Sequence, residues 1–324
     1  MTSRERFRET MRYGRPDRAP CFEEGLRDGV IERWREEGLK DAADLARMFR
    51  YDRRERVPVD VDARPPVKEW PTSRRGLKAL RRRFNPDDPS RFPADWRQRV
   101  KAWRTREHVL ELYLHPGFFL SMGVHDWRRF TDAVYTLSDN RALAREILDI
   151  RAECVAAIAE RVLNDVEVDF ASFSEPIGGN DRPLLSPALY EEFVLDSYKP
   201  VLDVLRRSRV ETITLITYAN ARVLVPGVLR AGFNCLWACE VNVEAMDYRD
   251  LRREFGRELR LIGGIDLDTL LEGKAAIRRG IRQVAPLIAQ GGYVPLADGR
   301  VRPNVPFERY VYYRRLLEAA ARRR

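Results

Sequence analysis

Polar residues stand at the ends of apolar runs along much of this chain. "VEVDFASFSEP" ends at Glu175, with Gly178, Gly179 and Asn180 just beyond. "ETITLITYAN" ends at Tyr218 and Asn220, and "NCLWACEVN" at Glu240 and Asn242. "LRLIGGID" ends at Asp266, and "GGYVPLADG" at Asp298, followed by Arg300 and Arg302. Nearer the start, "RAPCFEEG" ends at Glu23 and Glu24 with Arg27 one turn on, and "REHVLELYLHP" ends at His115. Carboxyls gathered in one place hold a proton toward neutral pH and can then act as general acids. Glu175, Glu240 and Asp298 are the candidates for that catalytic role. Glu23, Glu24, Arg27, His115, Asn180, Tyr218, Asn220, Asp266, Arg300 and Arg302 are the candidates to hold and orient a substrate.

Several of these residues have a plainer reading. Asp266 is either a helix N-cap or a site group, and Asp268 is expected as an N-cap, where Asp is favoured. Asn180 and Asp181, before "RPLLSP", suit a turn. Cys235 and Cys239 share a face of one strand but stand about 13 Å apart at the usual rise, too far for one zinc, and read as core cysteines. His115 sits at a strand end and is a site candidate; His125, in "GVHDW", reads as a loop or cap residue. His108, His115 and His125 show no HxH or HExxH spacing, and GxSxG and the P-loop are absent. No metal site is expected from spacing.

The elements that must position these residues follow from the pattern. From about residue 165 the chain alternates short apolar strands with amphipathic helices, five β-then-α units in succession. Strands of this kind are buried on both faces and pair in parallel. The first half adds "RAPCFEEG", "ERVPVDVD" and "REHVLELYLHP", making eight strands. A (β/α)8 barrel is the natural closure, with its active site at the C-terminal strand ends. A doubly wound open sheet is the alternative, but no GxGxxG follows the first strand. A helical extension opens the chain, and a Pro- and charge-rich excursion occupies roughly residues 64–106. Residues 1–324 read as a single domain. Gly263 and Gly264 remove side chains where a ligand or neighbouring backbone comes close.

Composition narrows the class. The chain has 324 residues, 44% hydrophobic and 34% charged, with net charge +9. The surplus is mostly Arg mixed with Glu in helix-like segments such as "YRDLRREFGREL", which suits solvated helix faces rather than a nucleic-acid stripe. The densest basic run is "RRGLKALRRR" at 74–83. Four scattered cysteines fit a reducing compartment. No signal-peptide pattern or spanning apolar run is seen, so a cytoplasmic location is expected, without membrane or nucleic-acid partners.

"SRERFRETMRYGRPDRAPCFEEG", "GGNDRPLLSPALYEEFVLDSYKPVLDVLR", "LRLIGGIDLDTLLEGK" and "GGYVPLADGRVRPNVPFERYVYYRRLLE", in this order, resemble the uroporphyrinogen decarboxylase superfamily, which also contains cobamide-dependent methyltransferases. The resemblance spans essentially the whole chain and implies a (β/α)8 barrel. Decarboxylases of that superfamily hold substrate carboxylates with Arg-Gln-Ala-Gly-Arg after the first strand; here that place reads "FEEGLRD", where only Arg27 is basic. The family's Tyr falls near Met122 or Gly123, and its C-terminal His at or near Gly299. Its zinc methyltransferases carry His-x-Cys and a later Cys where this chain has "TYAN" and "LADG", so a zinc site of that type is not expected. The resemblance then points to decarboxylase-like barrels found alongside corrinoid proteins, whose acidic strand ends look like Glu23, Glu24 and Glu175.

Three functions follow as expectations. The first is methyl transfer on a small methyl donor or acceptor, with a corrinoid (cobalamin) carried by a partner protein. A carboxylic acid would protonate the leaving oxygen, while Tyr218 and Asn220 orient the substrate. The second is decarboxylation of a tetrapyrrole or small acid, which requires a cationic pocket from Arg27, Arg222, Arg300 and Arg302. The third is a non-catalytic barrel that binds a tetrapyrrole or an acidic partner protein by electrostatic steering. A monomer or homodimer is expected.

Overall fold

The structure, a computed structural model, describes residues 1–124, 127–179, 181–239 and 246–322. Among these, seven strands form one parallel sheet in chain order: β1 (Arg54–Arg56), β2 (Val109–His115), β3 (Phe170–Glu175), β4 (Ile213–Tyr218), β5 (Cys235–Cys239), β6 (Arg260–Ile265) and β7 (Tyr293–Ala297). Helices intervene as the alternating pattern requires, and the sheet curls into the (β/α)8 barrel arrangement.

The expected first strand is an extended segment with a single parallel bridge, Leu26 to Val301. It still closes the barrel. On one side Arg27 N donates to Val301 O at 2.9 Å and Val301 N to Gly25 O at 3.0 Å; on the other Asp52 N donates to Cys21 O at 2.9 Å. Pro20 lies in this segment, and Gly25 has φ +104°, so regular pairing is interrupted at both ends. "ERVPVDVD" also falls short of expectation. Only its first two residues belong to β1; Pro58 cannot donate to a ladder. The helical stretch after β6 is two helices, Thr269–Glu272 and Lys274–Gln290, divided at Gly273 with φ +114°. The helix after β3 contains a π turn at Tyr190–Leu195.

Strand alternation divides the core. Phe170, Ile216, Cys235, Trp237, Cys239, Ile262, Val294 and Leu296 form the cluster inside the barrel, while Ala171, Phe173, Leu215, Leu236 and Leu261 pack outward against the helices. The N-terminal helix Ser3–Met11 plugs one end: Phe7 lies against Phe22 and Phe170 at centroid distances of 5.7 and 5.3 Å. The excursion carries the helices Leu77–Arg83 and Trp96–Trp103 and is pinned by buried Arg91, which donates to the carbonyls of Asp60, Asp62, Arg83 and Asn85. Within the basic run, Arg74 and Arg81 pair with Glu146 and Glu153 of the helix Arg141–Asp165. No helix of the described residues is long and apolar enough to cross a membrane.

Gly263 and Gly264 make room for a side chain. Both have positive φ, +98° and +82°, and a Cβ on Gly264 would stand 2.4 Å from Tyr248 Cδ2. The Tyr248 hydroxyl donates to Ile262 O at 2.6 Å and accepts from Ala238 N at 2.9 Å, tying β5 to β6. At Gly264 the close approach is therefore that of a helix tyrosine, while at Gly263 a Cβ would come 3.3 Å from the neighbouring strand's Ala238 O, as expected of a close backbone, and the pair of glycines serves the fold.

Candidate active site

Glu23 and Glu24 leave the same segment in opposite directions. Glu23 faces the outer layer and pairs with Arg314, whose side chain is fully buried over Tyr51, 4.3 Å from its ring centroid. Burial pushes the Glu23 carboxyl up and Arg314 pulls against that rise. Glu24 faces the lumen, where its Oε1 accepts from Cys239 Sγ at 3.2 Å. Burial raises its pKa; the Cys239 thiol and Arg54 oppose the rise, and Glu111 reinforces it.

Glu111, in the middle of β2, is buried inside the barrel. It accepts from Ser172 Oγ and pairs with Arg54 Nη1 at 3.4 Å and Arg56 Nη2 at 3.5 Å. Arg54 in turn lies 4.7 Å from the Trp237 ring, and Arg56 4.3 Å from that of Tyr113. The lumen therefore holds two carboxyls, two guanidiniums, a thiol, a hydroxyl and a phenol on an aromatic floor. Sequence reasoning did not name Glu111, Arg54, Arg56, Tyr113 or Ser172 as site residues. The signal available was a Glu inside "VLELYLH", a run otherwise apolar enough to be buried on both faces.

Glu175 takes a different position. It has no exposed surface and points into the layer between sheet and helices, where Oε1 accepts from Phe118 N at 2.8 Å and Oε2 accepts from the Tyr198 hydroxyl. Burial pushes its carboxyl up to about 7, against those two hydrogen bonds. His115 joins it because β2 changes register between Tyr113 and His115, a bulge that turns the imidazole outward to stack on Phe173 with planes 15° apart. Nδ1 of His115 accepts from Gly117 N at 3.0 Å, so Nε2 carries the hydrogen and donates to Ser121 Oγ at 3.2 Å; Ser121 donates onward to Gly117 O at 2.7 Å. Burial holds His115 well below its ordinary pKa, so the ring is neutral. The Tyr198 hydroxyl lies 3.2 Å from His115 Nδ1 and joins the imidazole to the carboxyl. Glu175 and His115 thus form a buried network behind the lumen wall. In this arrangement they tie together the exits of β2 and β3 and face the helix layer, where the expectation placed both at the substrate.

The other candidates separate further. Asp298 is buried at the exit of β7, and its Oδ1 accepts from Leu267 N at 2.9 Å. Asp266 is half-buried and accepts from Asp268 N at 2.8 Å, which opens the next helix as an Asx turn; burial raises its pKa. Asp268 makes no side-chain cap and pairs with Arg302 instead. Arg300 is exposed. Asn220 donates to Asp181 O at 2.9 Å and accepts from Arg222 N at 3.2 Å, so it fastens one exit loop to another. Tyr218 stands at the mouth, 37% exposed. Arg27 is half-buried beside the seam. Asn180, Glu240, Asn242 and His125 lie outside the described residues. Among the described residues no three His, Cys, Asp or Glu side chains converge as a metal-binding group.

The profile of one protein family, Uroporphyrinogen decarboxylase (URO-D), matches residues 123–311. Among solved structures, a methyltransferase from Methanosarcina mazei is similar in fold. It has a TM-score of 0.64 and 16% identity, and the match covers 99% of this chain and 98% of that one. A putative vitamin-B12 independent methionine synthase from Listeria monocytogenes matches at a TM-score of 0.34 and 13% identity, over 68% of each chain. No curated protein matches the chain in sequence.

Proposed function

Because the chain belongs to the uroporphyrinogen decarboxylase family, we propose that it is a methyltransferase-type enzyme of that family in which Glu24 donates the proton at the barrel mouth. The observation that carries this reading is the lumen carboxyl itself. Glu24 is half-buried in the lumen, held toward its protonated form by burial and by Glu111, and set beside the Cys239 thiol. A protonated carboxyl there hydrogen-bonds the oxygen of a small methyl donor and hands it the proton as the methyl leaves. Tyr218 stands at the rim, at the end of β4.

The corrinoid, when bound, supplies the centre that accepts or gives the methyl group. The residues around the mouth fit delivery by a partner protein. Leu184, Tyr218 and Val223, at the exits of β3 and β4, are 52%, 37% and 55% exposed, a run of uncovered apolar side chains beside the lumen.

Decarboxylation of a polycarboxylate is the less supported reading. Arg54 and Arg56 are engaged by Glu111, Arg222 pairs with Glu254, and Arg302 with Asp268. The guanidiniums that would gather carboxylates are dispersed.

Equilibrium dialysis of the purified protein against methylcobalamin and, separately, an anaerobic porphyrinogen tests the choice. The expected result is retention of the corrinoid and not of the porphyrinogen. Retention of the porphyrinogen alone overturns the methyl-transfer reading.

A further inference from the structure

We propose that the cleft between the excursion and the exit of β2 is a binding site for a small apolar carboxylate, anchored by Arg151. This site is separate from the lumen and does not depend on the methyl-transfer reading.

Arg151 belongs to the helix Arg141–Asp165 and is 3% exposed. Among the described residues its guanidinium donates one hydrogen bond, from Nη2 to Asp62 Oδ1 at 2.8 Å. Its Nε is buried without an acceptor. The partner carboxylate is a poor one for a buried cation, since the Asp62 side chain is 66% exposed and remains solvated. A buried guanidinium is costly unless paired and hydrogen-bonded, and an exposed carboxylate contributes little to it. Arg151 is therefore buried and under-satisfied, and it lines a cavity of about 290 Å³.

The rest of that cavity is apolar. Val67, Trp70, Phe84 and Leu120 line it. Phe84 lies under the guanidinium, 5.5 Å from centroid to Cζ. Leu120 is 38% exposed, an aliphatic side chain left uncovered at the rim. The Trp70 indole is seated on Gly123, where a Cβ would come 2.0 Å from Nε1, so that wall is built into the fold. One fixed cation at the floor of an aromatic and aliphatic cleft selects a carboxylate with an apolar body. The carboxylate takes the N–H edge of the guanidinium, whose face lies over Phe84, and displaces Asp62, which swings into water. The volume lies just below the range of about 300–1,000 Å³ usual for ligand pockets. It admits one ring or a short branched chain and excludes a tetrapyrrole.

Benzoate is the probe, followed by calorimetry and by tryptophan fluorescence on the full chain, without corrinoid or methyl donor. Benzoate is expected to bind at least tenfold more tightly than acetate, which lacks the apolar body, or benzamide, which lacks the charge. Asp62→Asn removes the competing carboxylate and should tighten benzoate several-fold. Arg151→Gln should abolish binding. If Arg151→Gln does not fold, Leu120→Asp serves in its place and should weaken benzoate at least tenfold. Benzamide binding as tightly as benzoate, Asp62→Asn leaving affinity unchanged or lower, or no benzoate binding to wild type and Asp62→Asn would overturn the proposal.

Discussion

Adjacent side chains of an extended segment leave on opposite sides of the sheet, and here that alternation gives Glu23 to Arg314 and Glu24 to the lumen. Glu24→Gln keeps an acceptor for Cys239 and loses the proton. Turnover on a panel of methyl ethers with a corrinoid acceptor should fall by about 10²–10⁴-fold, the usual range for a general acid, with an unchanged circular dichroism spectrum. Because burial raises the Glu24 pKa, the wild-type rate should hold at low pH and decline as pH rises through that value. Activity that rises with pH would remove Glu24 from the acid role. Glu175 makes a different prediction. Its folded pKa of about 7 lies above the ordinary 4.5, so the folded state binds the proton more tightly than the unfolded chain. Stability is then full below about pH 4.5 and declines toward pH 7, by roughly 3 kcal/mol at about 1.4 kcal/mol per pH unit. Urea unfolding at pH 5 and pH 8 should show this loss in wild type and a clearly smaller one in Glu175→Gln. Parallel losses would place the titration elsewhere. The strand-end acids were legible because each follows an apolar run. Which side of the wall a strand end faces was not, since it depends on the register with neighbouring strands, and on β2 a single bulge before His115 reverses the parity.

Short apolar runs separated by charged amphipathic stretches specify strand and helix strongly, which is why β2 to β7 fall where the pattern puts them. The segments that depart from expectation carry their own reasons. Proline interrupts the "ERVPVDVD" run, and a left-handed glycine divides the helix after β6. The meaning of Gly263-Gly264 required the partner, because nothing in the local sequence names Tyr248, which comes from the preceding unit. Gly264→Ala forces a methyl against that ring in a backbone conformation that L residues avoid. A loss of roughly 2–4 kcal/mol is expected from overpacking and strain together, read as a lower urea midpoint. Tyr248→Phe leaves the Ala238 amide without its acceptor and should cost about 1–3 kcal/mol by the same measurement. A Gly264→Ala protein as stable as wild type would show that Tyr248 moves freely, and would detach the glycines from the ring.

The barrel as a whole is joined where its first segment meets β1 and the exit of β7. Asp52 anchors the first of these seams. Its side chain is 1% exposed, accepts from Cys21 N at 2.7 Å, and receives both Arg6 and Arg18. Asp52→Ala removes the Cys21 acceptor and leaves Arg18 without its carboxylate, while Arg6 keeps Asp17, and should cost roughly 3 kcal/mol, the low end for broken buried pairs; Asp52→Asn, which keeps the Cys21 acceptor, should cost less. Thermal melts of the two variants, compared for order and spacing, check this. The second seam has a consequence in time. Its bonds join Gly25 and Arg27 to Val301, so nearly the whole chain must be made before the first segment can find its neighbour, and contacts of such separation form slowly. Until then the segment has no partner on that side, and Glu24 stands in water. The pairing beside the candidate acid can thus form only late, and a chain growing from its N-terminus gains that environment only when the ring is closed.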